Sequence, residues 1–107
     1  MRLLFCCACN LNRSPTFEHY FKKNYPEYEV MSAGIYAGYP NQVNEELCNW
    51  ADIIYVMDLS QTMFFYSKYP DHIEKLRTVG ISDQYDSDDP ELISIIDFWL
   101  QHIANRH

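Results

Sequence analysis

Basic residues are scarce in this chain: 8 Lys and Arg stand against 15 Asp and Glu, for a net charge of −7 over 107 residues. That balance argues against nucleic acid or an anionic membrane as a partner. Any anion must be bound by a local site against a repelling global field. No apolar run approaches the length needed to span a bilayer. The opening run, residues 1–7, is too short for a secretory signal, and polar residues follow where a small-residue cleavage site is required. Repeats, low-complexity tracts and linkers are absent as well, which leaves one domain over residues 1–107. These absences predict a cytoplasmic protein whose four cysteines stay reduced. What is abundant is apolar: 48% hydrophobic residues and 16% aromatics, enough for a folded core with rings left over to line a surface.

Residues 3–7 form a continuous apolar run of the kind found in a buried parallel strand. Phe17, Tyr20 and Phe21 recur at helical spacing, and the helix they predict stops before Tyr25-Pro26. A second strand is expected over 28–32, a loop over 35–41, and a short helix through Val43, Leu47 and Trp50. Residues 53–57 are the clearest strand. Ser60 is expected to cap a helix carrying Met63 and Phe64 that ends before Pro70. A weaker strand follows at 76–81, and Asp89-Pro90-Glu91 opens a last helix with the stripe Leu92, Ile96, Trp99 and Ile103. This alternation predicts an α/β fold, a three-layer sandwich with a four-stranded parallel sheet flanked by helices. Ligands of such sheets sit beyond the carboxyl ends of the strands, where the loop after the first strand falls.

That loop contains Cys7-x5-Arg13-Ser14-Pro15. Backbone N–H groups at a loop-to-helix junction bind anions, and the helix dipole adds to them. The same field favours the thiolate of a cysteine placed there. Arg13 supplies a planar fork matched to two phosphoryl oxygens. Ser14 can hydrogen-bond the sulfur or cap the helix, and Pro15 suits the first helical position. A cation at a helix N-terminus opposes the dipole, so Arg13 calls for an anion to offset it. Cys6 points to the opposite face and is expected to be buried behind the loop. Cys9 is open between an inert loop thiol and a redox partner. Cys6, Cys7, Cys9 and Cys48 lack the spacing of a zinc site, and His19, His72, His102 and His107 suggest no ligand set, so no metal is expected. Trp50 and Trp99 fit core stripes.

Three further pieces accompany the loop: Ser32-Ala33-Gly34 after the second strand, Val56-Met57-Asp58 ending the third, and Ile81-Ser82-Asp83-Gln84-Tyr85 after the fourth. In motif and order, over most of its length, the chain resembles the low-molecular-weight protein tyrosine phosphatase family. The resemblance implies that Cys7 is the nucleophile of a cysteinyl-phosphate intermediate and that Arg13 clamps phosphate and the transition state. It implies a phosphate-binding loop of Ala8, Cys9, Asn10, Leu11, Asn12, Arg13 and Ser14, with Ser14 steadying the thiolate. Asn10 would take a left-handed backbone that aims N–H groups inward, with Ser32 as its supporting hydrogen-bond partner. Asp83 would be the general acid and Tyr85 an aromatic wall beside the substrate. The implied partners are a phosphotyrosine protein or a small aryl phosphate, with inorganic phosphate as product and no cofactor. The chain departs from the family at Asn12, where a second cysteine is usual, and at Gln84, where a proline is usual. It is also shorter between Gly38 and Trp50.

Asp83, Asp86, Asp88 and Asp89 crowd together, so Asp86 competes with Asp83 for the acid role, while Asp89-Pro90 reads as a helix start. Tyr36, Tyr39 and Tyr85 lie on loops expected to face Cys7, where they make a slot for a phenyl ring. Two other activities are compatible with the loop. An arsenate reductase-like thiol enzyme needs resolving cysteines after the third strand, and none follows Asp58. A phosphate- or phosphotyrosine-binding module without catalysis has no need of a nucleophile.

Overall fold

A computed structural model describes residues 1–8, 13–36, 41–81 and 89–106, with residues 104–106 described by their backbone only. Strand β1 (Arg2–Cys7) has two cores to enter. Leu3, Phe5 and Cys7 face one of them, Leu4 and Cys6 the other, as the period of two requires in a strand covered on both sides. With β2 (Glu29–Gly34), β3 (Ile53–Val56) and β4 (Leu76–Thr78) it forms a sheet of order β2-β1-β3-β4, every neighbouring pair parallel. Helices α1 (Arg13–Asn24) and α4 (Pro90–Arg106) bring Phe17, Phe21, Leu92 and Ile96 to the Phe5 face. Helices α2 (Glu45–Trp50) and α3 (Leu59–Lys68) bring Cys48 and Phe65 to the other. The three layers match the alternation in the sequence. Among the described residues no helix is long and apolar enough to cross a membrane.

Several boundaries differ from expectation for local reasons. The second strand runs to Gly34, because Gly34 donates to the Asn41 carbonyl at 2.9 Å and Ile35 to that of Cys7 at 3.0 Å. The fourth stops at Thr78, although Val79 and Ile81 still donate to Val56 and Met57. Helix α1 starts at Arg13, so Pro15 lies inside the first turn, where a missing N–H forfeits no helical bond. Helix α3 is capped by Asp58 rather than Ser60. Asp58 is extended, its carboxylate accepts the Gln61 N–H at 3.2 Å, and the Ser60 hydroxyl donates to it at 2.6 Å. That start turns Gln61, Thr62 and Phe65 inward and leaves Met63 exposed. In α4 the stripe passes through Leu100, with Trp99 half-buried at its flank.

Phe5 is fully buried at the centre, stacked on Phe17 at 4.9 Å and on Tyr55 at 5.3 Å. It ties the middle of β1 to α1 and β3. Truncation leaves a cavity on top of the lost transfer energy, so Phe5→Ala is expected to lower the unfolding free energy by about 3–5 kcal/mol. Urea titration checks this; a loss below about 1 kcal/mol contradicts the central placement of the ring.

Candidate active site

The carboxyl ends of β1, β3 and β4 meet the start of α1. Cys7 ends β1 on the face that α1 covers and is almost wholly buried, and Ser14 is fully buried one residue into the helix. The Cys7 Sγ and Ser14 Oγ lie 3.0 Å apart, and the Ala33 carbonyl lies 3.4 Å from the same hydroxyl. Ser14 can therefore donate to a sulfur anion, or accept from a thiol while donating to Ala33. Cys6 sits one residue back in the opposite core, as alternation requires, and burial there pushes its thiol well above the ordinary range.

Arg13, the first residue of α1, is only 3% exposed. One guanidinium nitrogen donates to the Ile81 carbonyl at 2.6 Å and to the Asp58 carboxylate at 3.3 Å. The anion that a cation at this helix end calls for is supplied in part from within, by Asp58 at the end of β3. Burial raises the Asp58 pKa, but hydrogen bonds from Ser60 and the Gln61 N–H, with the hydrogen bond and charge of Arg13, outweigh it and hold the carboxyl below its ordinary value. Gln61 extends the network by accepting the Met57 N–H at 2.7 Å. Asp58 and Gln61 carried no site role in the sequence. The available signal was an Asp directly after the clearest strand, at the end of the sheet where ligands bind.

A cleft of about 160 Å³ opens over this network, with Ala8, Arg13, Asp58 and Ser60 on its floor and sides and Tyr36 and Phe64 among its lining. Tyr36 follows β2, is exposed, and donates its N–H to the Ala8 carbonyl at 2.9 Å, so it stands on the Cys7 side as expected. Phe64 is a ring that sequence spacing assigned only to a helix. Ser32 lies on β2 on the α1 side, and its hydroxyl donates to Glu18 at 2.5 Å. Its expected partner Asn10 lies outside the described residues. So do Cys9, Leu11, Asn12, Tyr39, Asp83, Tyr85 and Asp86.

A folded-state pKa below the unfolded one stabilises the protein above the unfolded value, and that stabilisation is lost as pH falls through the folded one. Asp58 therefore contributes acid sensitivity below about pH 4, the ordinary aspartate value. Asp58→Asn is expected to flatten the fall of melting temperature as pH drops below about 4. An unchanged acid slope contradicts the ionised pairing with Arg13.

No protein-family model matches the chain. A protein described as the probable low molecular weight protein-tyrosine-phosphatase EpsP, from Ralstonia solanacearum, is 29% identical, the match covering 82% of this chain and 77% of that one. The structure of Vibrio vulnificus Wzb in complex with benzylphosphonate superposes with a TM-score of 0.85 at 23% identity, over 99% of this chain and 98% of that one. The YwlE arginine phosphatase from Geobacillus stearothermophilus gives a TM-score of 0.77 at 21% identity, over 98% and 94%. The two structures share the architecture described above.

Proposed function

We propose that this chain, a relative of the low-molecular-weight protein tyrosine phosphatases in sequence and fold, hydrolyses phosphotyrosine or a similar aryl phosphate through a cysteinyl-phosphate intermediate. The observation that carries the reading is the pairing of Cys7 with Ser14 at 3.0 Å beside a buried Arg13. In the first step the Cys7 sulfur attacks phosphorus in line, the bond to the phenolic oxygen breaks, and Asp83 gives that oxygen its proton. Arg13 and the N–H groups of residues 8–14 hold the equatorial oxygens. In the second step Asp83 takes a proton from water as its oxygen attacks phosphorus, the sulfur leaves, and inorganic phosphate departs. Ser14 stabilises the sulfur as it gains charge, which the reach of its hydroxyl supports. Tyr36 and Phe64 flank the cleft as the walls that favour an aromatic leaving group.

The arsenate reductase reading is weakened by the same structure. A relay needs a second thiol near Cys7; Cys9 lies outside the described residues, and Cys48 is buried in the opposite core. Its pKa is pushed up to about 11, chiefly by burial and then by Glu45, so it is a poor attacking thiol at neutral pH. A pure binding module leaves the Cys7–Ser14 pairing without a purpose.

Cys7→Ser is expected to reduce hydrolysis of p-nitrophenyl phosphate by roughly 10³-fold or more. Normal turnover by that variant sinks the mechanism. Asp83→Asn is expected to lower kcat by roughly 10²- to 10⁴-fold and to remove the alkaline limb of the pH–rate profile, while Asp86→Asn keeps both. The reverse pattern moves the acid to Asp86.

A further inference from the structure

Helix α3 is amphipathic in the wrong sense. It buries Gln61 and Thr62 beside Phe65, and it leaves Leu59 70%, Met63 56% and Tyr66 47% exposed. The polar side chains go inward because they have work there: Gln61 holds the Met57 N–H, and the Thr62 and Thr78 hydroxyls lie 2.6 Å apart. Leu59, Met63 and Tyr66 are spaced i, i+4, i+7, so they form one stripe along the solvent side rather than scattered exposures. Core packing accounts for the inward face and leaves the outward one without a partner among the described residues.

The stripe begins at the cleft. Leu59 stands between Asp58 and Ser60, both of which line the pocket over Arg13, and the helix then carries Met63 and Tyr66 about 6 and 10 Å further along its axis. The helix has no acidic residue and ends in Lys68, in a chain of net charge −7. Beyond Asp58, which is paired with Arg13, an anionic phosphorylated segment meets no carboxylate from this helix. Three side chains fall well short of the roughly 800 Å² per partner of a stable interface, and two copies of net charge −7 repel each other. The face suits a transient visitor.

We propose that this stripe is a docking surface for the phosphoprotein substrate, taking apolar side chains that flank the phosphorylated residue. The inference rests on the phosphatase reading and adds to it a substrate class: polypeptides with an apolar neighbourhood, in preference to small aryl phosphates or polar phosphopeptides.

The test compares wild type with Leu59→Ser and Met63→Ser on three substrates: a phosphotyrosine peptide flanked by leucines, the same peptide flanked by serines, and p-nitrophenyl phosphate. Each exposed substitution is expected to raise KM for the leucine-flanked peptide roughly fivefold while leaving the other two substrates unchanged. Equal losses on all three substrates, or no loss on the leucine-flanked peptide, overturn docking. So does a wild-type dimer in sedimentation that Met63→Ser disperses, since the face then belongs to a second copy. If wild type hydrolyses none of the substrates, the phosphatase reading itself fails. Amide shifts at Met63 and Tyr66 on titration with the leucine-flanked peptide then decide docking alone, and no shift at either residue overturns it.

Discussion

Burying the Arg13 guanidinium obliges the carboxyl end of the sheet to supply it with acceptors. A charge only 3% exposed is destabilising unless paired and hydrogen-bonded. Two elements answer: β3 delivers Asp58, and the segment after β4 delivers the Ile81 carbonyl. Asp58 can do so because it also caps α3, and its cap is stiffened by Ser60 and Gln61. The first residue of α1 is thus tied to the ends of two strands that lie far from it in sequence. The cleft over Arg13 lies where those ends are drawn together.

The same constraint links stability to chemistry. Asp58 uses one oxygen on Arg13 through a single guanidinium nitrogen, and in the proposed reaction the rest of the fork would meet the oxygens of the phosphoryl group. Ser14 plays a comparable double part, with the Cys7 sulfur and the Ala33 carbonyl both within reach of one hydroxyl. A rotation of that hydroxyl is enough to follow the sulfur from thiol to anion. Rigid strands behind the site, centred on the Phe5 stack, keep these short contacts from drifting.

Much of this was legible from the residues. The run 3–7 had to be a strand with two buried faces, so Cys6 and Cys7 had to part company. The types and spacing of Cys7 and Arg13 placed both at one loop-to-helix junction, and the structure brings Ser14 to Cys7 there, with Arg13 buried beside them. Asp58 was harder to read, because its role depends on β1 and β3 lying side by side, and local sequence does not carry pairing of distant strands. Ser60 looked like the helix cap, since hydroxyl and carboxylate caps are nearly equivalent in sequence. Only the extended backbone of Asp58 decides between them. With the helix starting two residues earlier, Met63 lies on the outward face, and no periodicity rule anticipates a helix that buries glutamine in its place.

The central claim is that the phosphoryl group passes through Cys7. The most direct measurement is an acid quench of the protein during turnover of an aryl phosphate, followed by mass spectrometry of its peptides. The account predicts one phosphoryl group on the peptide carrying Cys7, formed in a burst with release of the phenol. A phosphoryl group on any other residue, or phenol released without a burst in step with free phosphate and no modified Cys7 at any time, contradicts it.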